Sequence, residues 1–310
     1  MKIAIIGTGG VGGYFGGKIA ASGYDVTFVA RGEHLKAIRE KGLKVISVSG
    51  AFVIHKAQAT DDIRSIGKVD LVILGVKAWQ VKEAAEHIKD IVDDHTTVMP
   101  LQNGVMAAQE LGEILAEKNI IGGLCRIISK IESPGVIHHS GLEPFIAFGE
   151  LDNQKTDRIL KIKELFDTAG IASRIADDIK VELWNKFMAI CVSGLLAVTR
   201  STYGVARELK ETRTMMNDLL YEIYEIALRS GIKLDPDIVE KTMALIDSYP
   251  YESNSSLTRD VMEGRPSEIE YQNGTVVKLG RQYGVDVPVN RFIYSCIVPM
   301  ERAARAKTKS

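Results

Sequence analysis

Residues 1–23 read MKIAIIGTGGVGGYFGGKIAASG. Ile3 to Ile6 form a short apolar run of the kind a buried strand needs. Gly7, Gly9 and Gly12 follow directly as G-x-G-x-x-G, and an apolar helical pattern continues to Gly23. Strand, glycine turn and helix in this order make a dinucleotide-binding fingerprint. Gly7 permits the tight turn, Gly9 lets the backbone approach a pyrophosphate, and Gly12 lets helix pack on strand. The helix N-terminus then offers N–H groups and a positive dipole end to the phosphates. A glycine-rich turn without a ligand is the competing account, and the apolar strand immediately before it weighs against that account.

The second strand, Asp25 to Ala30, ends where an acidic side chain would hold a ribose 2′-hydroxyl. Arg31 stands there instead. Its planar guanidinium suits a 2′-phosphate, because it can pair two phosphate oxygens. The reading is therefore NADP (NADPH) over NAD. Glu33 lies close enough to take the acidic role, although it also suits the start of a helix over His34 to Glu40, where an acid favours the dipole. Arg31 as an ordinary solvated arginine is the alternative for that residue.

The chain has 310 residues, 45% hydrophobic and 25% charged, with a net charge of −1. That composition suits a globular protein of two domains. The charge balance gives no support to nucleic-acid or polybasic membrane binding. No apolar run is read as reaching transmembrane length, and the N-terminus lacks the pattern of a signal peptide. A cytoplasmic protein with a small-molecule partner, no nucleic-acid or membrane partner and a homodimer as one arrangement is the expectation. Cys125, Cys191 and Cys296 are far apart in apolar runs. They read as buried thiols, with no metal or redox spacing. The basic end, Ala303 to Ser310, reads as a fraying tail.

Up to residue 176, strands and helices alternate. Val69 to Val76 is a continuous apolar run typical of a buried parallel strand, and Thr97 to Leu101 is another strand. Leu43 to Ala59, alternating about Ser49-Gly50, reads as a hairpin on the edge of that sheet. Trp79–Val92, Val105–Glu117 and Asn153–Ala169 read as helices, and Ile120–Ile131 and Gly135–Gly149 as further strands. Beyond residue 177 the pattern is helical, over Asp178–Leu196, Val205–Ser230, Pro236–Ser248, Ser267–Tyr283 and Val289–Arg302. The fold class is α/β: an N-terminal Rossmann-type doubly wound sheet (1–176) that binds NADP, followed by an all-helical C-terminal domain (177–310) that binds substrate.

Lys77 and Asn103 each follow an apolar strand, and open α/β sheets bind ligands beyond the carboxyl ends of their strands. Both are candidates for the nicotinamide end. Lys186 lies in the largely apolar helix Val181 to Cys191, with Ala189 and Ile190 on its face. It either snorkels to solvent or is placed for a task. Glu268 reads as a first-turn acid capped by Ser267. His138 and His139 read as structural, and no metal site is expected. There is no H-E-x-x-H, G-x-S-x-G or P-loop lysine.

Taken together, these pieces resemble ketopantoate reductase (2-dehydropantoate 2-reductase) over nearly the whole chain. The matching pieces are Gly7-Thr8-Gly9-Gly10-Val11-Gly12, Arg31, Lys77-Ala78-Trp79-Gln80, Asn103-Gly104, Glu182-Leu183-Trp184-Asn185-Lys186, Ser255-Ser256 and Ser267-Glu268-Ile269-Glu270-Tyr271. The resemblance implies an oxidoreductase that reduces the ketone of 2-dehydropantoate to (R)-pantoate with NADPH, on the route to pantothenate and coenzyme A. It implies Lys186 as the catalytic lysine and Glu268 and Ser256 as substrate-binding residues. It further implies Lys77 and Asn103 at the nicotinamide and substrate end, and Arg31 near the 2′-phosphate.

One departure bears on the substrate. Family members commonly carry asparagines four and eight positions after the catalytic lysine, where this chain has Ile190 and Gly194. Ser193 is the neighbour able to replace one of those amides. A different small 2-oxo acid, or an NADP-binding sensor without turnover, are the alternatives this departure raises. Burial would lower the pKa of Lys186 and a nearby carboxylate would raise it; the sequence leaves that balance open.

Overall fold

The structure, a computed structural model, describes residues 1–307. The chain divides into two compact units, one of Met1–Gln102 with Met106–Ile179, the other of Asn103–Val105 with the chain from Lys180 onward.

In chain order the first unit holds β1 (Lys2–Ile6), α1 (Gly10–Ala21), β2 (Asp25–Val29), α2 (Gly32–Lys41), β3 (Leu43–Ser47), β4 (Gly50–Ile54) and β5 (Gln58–Thr60). It continues with β6 (Leu71–Leu74), α3 (Val81–Ile88), β7 (Thr97–Pro100), α4 (Ala107–Gly112), β8 (Gly122–Ser133), β9 (Val136–Gly149), α5 (Asp157–Thr168) and β10 (Ala172–Ile175). A parallel sheet runs in the order β5-β2-β1-β6-β7. The chain leaves β1 toward one side and returns to β6 on the other, so the strand order reverses between them. Ligand crevices of doubly wound sheets lie at such a point. Strands β1 and β6 are buried almost throughout, which explains their unbroken apolar runs.

A second sheet corrects one expectation. The β3–β4 hairpin does not extend the parallel sheet; it joins β9 and β10 in the order β10-β9-β3-β4, with β8 paired to β9. Helix α1 lies between the two sheets. A Cβ at Gly16 would press on Ile5 and Phe28 of the parallel sheet, and one at Gly17 would meet Val45, Phe52 and Ile54 of the second. The glycines after the fingerprint are therefore packing residues that let two sheets close on one helix. Ile5, Phe15, Phe28, Val45 and Ile137 share the resulting core. β10 lies between the helix read over Asn153–Ala169 and the helical stretch beyond residue 177, where the sequence reading assigns no element.

The second unit contains α6 (Ile179–Thr199), α7 (Tyr203–Glu208), α8 (Lys210–Arg229), α9 (Ile238–Asp247), α10 (Ser256–Met262), α11 (Asn273–Tyr283) and α12 (Pro288–Lys307). The helix read over Val205–Ser230 breaks at Leu209, whose extended backbone ends α7 and begins α8. Contrary to the sequence reading, α6 is long and apolar enough to cross a membrane, with a mean hydropathy of 1.5, and 61% of that window is buried within the protein. Helix α12 runs on to Lys307 rather than fraying from Ala303, because Ala304 is buried; residues 308–310 of the expected tail lie outside the described residues.

Candidate active site

At the end of β1, Gly7 has φ +91°, a region side chains rarely adopt, and a Cβ there would stand 2.7 Å from Val76 Cγ1. A Cβ at Gly12 would land on the Gly7 carbonyl oxygen, whereas one at Gly9 would meet nothing within 4 Å. The three glycines thus differ in purpose: two close the turn, and the middle one opens it to a ligand. Gly9 caps α1 without a side-chain hydrogen bond. The N–H groups of the first turn have no intrahelical acceptor in any helix, so here they are open to an anion. Ser129 Oγ of β8 is buried without a hydrogen-bond partner, 2.8 Å from where a Gly10 Cβ would stand. These features fit a pyrophosphate.

Thr8 ties this loop to β2, since its N–H and Oγ1 both donate to the Val29 carbonyl, at 3.0 and 2.9 Å. Two residues beyond Val29, Arg31 caps α2 from an extended conformation. Its side chain is 71% exposed, and its nearest carboxylate, Glu83, stands 3.8 Å away. An exposed pair at that separation holds the guanidinium only weakly. Glu33 lies exposed in the first turn of α2, as a dipole-favoured acid does.

Lys77 is exposed after β6, and its ammonium lies over the Trp79 ring, 5.7 Å from the centroid. Gln102 is buried at the end of β7 and donates to the carbonyls of Leu74 at 2.9 Å and Val76 at 3.0 Å. It pins the loop that carries Lys77, a role the sequence reading passed over between two better-known neighbours.

In the second unit, Asn103 Nδ2 donates to Glu268 Oε2 at 3.0 Å, joining residues 165 positions apart. Glu268 is buried, with 7% of its surface exposed. The expected Ser267 cap is not formed. The Ser267 N–H and hydroxyl both donate to Glu301 Oε2, at 2.8 and 2.7 Å, and Glu268 precedes only the short turn Ile269–Tyr271. Glu268 is therefore held by contacts distant in sequence rather than by a local cap.

Lys186 is half-buried on α6, between the edge-to-face rings of Trp184 and Phe187 in sequence. One turn on, Ile190 is also half-buried. Ser193 is not free to replace an amide: its single hydroxyl proton is shared between the Ile190 carbonyl and Gln272 Oε1. The space at Gly194 is filled by Asn273, whose Oδ1 a Cβ would strike and whose Nδ2 is held by Cys191 O and Asn290 Oδ1. Ser256 is the exposed first residue of α10, while Ser255 caps that helix by accepting from the Thr258 N–H at 3.1 Å. Ser256 makes no hydrogen bond to Glu268. His139 is fully buried between Ser47 Oγ and the Leu142 carbonyl, and His138 pairs with Glu132 at 3.4 Å. Both histidines hold the second sheet.

Known proteins are similar to this chain over nearly its whole length. Residues 3–153 match the family described as ketopantoate reductase PanE/ApbA, and residues 178–301 match its C-terminal part. A 2-dehydropantoate 2-reductase of Nostoc sp. is 31% identical over 300 residues, spanning 94% of this chain and 93% of that protein. The crystal structure of 2-dehydropantoate 2-reductase from Geobacter metallireducens superposes with a TM-score of 0.89 at 29% identity, covering 96% of this chain and 99% of that one. The ternary structure of D-mandelate dehydrogenase with NADH and anilino(oxo)acetate shares the fold, with a TM-score of 0.89, 24% identity and coverage of 98% and 100%.

Proposed function

Because the chain belongs to the ketopantoate reductase family, we propose that it reduces the ketone of 2-dehydropantoate to (R)-pantoate with NADPH, with Lys186 as proton donor. The observation that carries the reading is the Asn103–Glu268 hydrogen bond of 3.0 Å, a buried carboxylate held in the unit whose helix α6 bears Lys186. A bound nicotinamide cofactor supplies the hydride. The N–H groups around Gly9 bind its pyrophosphate, and Arg31 binds the 2′-phosphate. Lys77 and Asn103 align nicotinamide and ketone. The Lys186 ammonium stabilises the charge that develops on the ketone oxygen and then gives it a proton. Glu268 and Ser256 hold a substrate hydroxyl or orient the ammonium.

Ile190 favours a second reading. Together with Gly194 and the engaged Ser193, it leaves that face of α6 without an amide of its own for a hydroxyl-bearing side chain, and the Asn273 amide beside Gly194 is held through its Nδ2 by Cys191 O and Asn290 Oδ1. A small branched 2-oxo acid with a hydrocarbon side chain suits such a face. The test is loss of NADPH absorbance on mixing with 2-dehydropantoate and a panel of branched 2-oxo acids. Turnover of 2-dehydropantoate above the others supports the first reading, and preference for a hydrocarbon side chain the second. NADPH binding with no turnover of any of them would leave a sensor.

A further inference from the structure

His34, on α2 three residues after Arg31, has both ring nitrogens engaged in opposite senses. The Gly135 N–H donates to Nδ1 at 3.0 Å, so Nδ1 carries no proton. Nε2 therefore carries the ring proton and donates to the Thr8 carbonyl at 2.9 Å. Only the neutral ring in this tautomer satisfies both bonds, because an imidazolium would set N–H against N–H at Gly135. We infer that His34 is a positioning residue for the dinucleotide, holding the glycine loop in its binding shape while neutral and releasing it when protonated.

The placement of Thr8 gives the bond its leverage. Thr8 is the second residue of the fingerprint, and its N–H and hydroxyl are already spent on Val29. Its carbonyl belongs to the peptide that aims the Gly9 N–H, so fixing that oxygen fixes a donor to the pyrophosphate. On the other side, Gly135 lies in the β8–β9 turn. A Gly135 Cβ would stand 3.1 Å from Ala37 of α2, and its carbonyl accepts from the Lys44 N–H at 2.9 Å. One imidazole thus joins the glycine loop, α2 and the turn, all within the first unit.

Burial, the larger influence, lowers the pKa of His34, and the Thr8 carbonyl partly opposes it. Charged groups on the adjoining elements are Arg31 before α2, Glu33, Lys36, Arg39, Glu40 and Lys41 on α2, Lys44 on β3, and Lys130 and Glu132 on β8 with His138 beside Glu132; the loop 7–10 carries none. A pKa below the ordinary histidine value of about 6.5 means the contribution is complete above that value. It is lost as the pH falls from there through the folded-state value.

The inference rests on the dinucleotide reading, and its test separates the two. NADH, which has no titrating 2′-phosphate, is bound to the full chain by fluorescence titration from about pH 8 to about pH 5, the range in which a histidine changes charge. The unmodified protein should hold its affinity down to the histidine range and then lose about fivefold or more, the weight of one buried donor left unpaired. His34→Leu should bind weakly throughout. His34→Gln keeps one donor and one acceptor without titrating, so it should restore binding over His34→Leu and remove the acid loss. In the cofactor-free protein, hydrogen exchange at the Gly135 amide should be slow with histidine or glutamine and fast with leucine. An acid loss undiminished in His34→Gln, or Gly135 exchange indifferent to His34→Leu, overturns the inference. Failure of either nucleotide to bind at any pH overturns the dinucleotide reading and the role of His34 in it, whichever way the exchange comes out.

Discussion

Arg31→Ala should change the choice of cofactor and little else. The side chain is 71% exposed and its Glu83 neighbour is 57% exposed at 3.8 Å. Breaking such a pair costs the fold about 0–1 kcal/mol, so cofactor-free stability should hardly move. Against a 2′-phosphate the guanidinium would make charge-assisted hydrogen bonds of about 1.5–3 kcal/mol each. Exposure puts the gain at the lower end, which is about tenfold in affinity. NADPH should therefore bind about tenfold more tightly than NADH to the unmodified protein. Arg31→Ala should erase most of that difference and leave NADH nearly unchanged. Fluorescence titration of both nucleotides at low and at physiological salt reads both quantities, and the preference should shrink with salt. Equal dissociation constants in the unmodified protein, or equal weakening of both cofactors in the variant, would refute the reasoning.

Gly12→Ala should destabilise by about 1–3 kcal/mol, because the new methyl meets backbone that cannot step aside; urea unfolding that matches the unmodified protein would contradict the packing described for α1. Ile190→Asn should raise kcat/KM for 2-dehydropantoate relative to 2-oxoisovalerate by up to about tenfold, the weight of one neutral hydrogen bond; an unchanged ratio would show that Ile190 does not face the substrate side chain. Asn103→Ala should lower kcat/KM for the oxo acid by about tenfold, since it removes a hydrogen bond to a charged group, and a normal value would detach the Asn103–Glu268 pair from the reaction.

The glycine fingerprint was readable because its three glycines answer to short-range geometry: a positive φ, a carbonyl in contact and an open approach. The parallel strands β1, β2, β6 and β7 were readable because burial makes them largely apolar, whereas β5, exposed or half-buried, was hidden in the stretch read as a hairpin. The second sheet was not, since pairing β3 with β9 joins segments about ninety residues apart that no local pattern links. Ser267 shows the same limit at one residue. Its sequence neighbours suggest a cap, yet Glu301, thirty-four positions away, takes its hydroxyl. Among the site residues, Lys77, Asn103 and Lys186 stood out as polar groups in apolar or strand-end settings, whereas Glu268 read locally as a capped first-turn acid and was marked only by the family resemblance. His34 gave no such signal, because a histidine in a polar helix start looks solvated until both of its ring partners are brought to it by the fold. Gln272 and Asn273, buried amides that fill the space beside Gly194, were likewise invisible behind a helix pattern that ran straight through them.

The proposal turns on Lys186, and single-turnover hydride transfer at saturating NADPH and substrate tests it most directly. Lys186→Ala should lower that rate by about 10²–10⁴, the range for a positioned general acid, while NADPH still binds to the first unit. Lys186→Arg should not restore it, because arginine keeps its proton near neutral pH. A Lys186→Ala rate within about threefold of the unmodified protein, far short of that range, would contradict the assignment of Lys186 as proton donor.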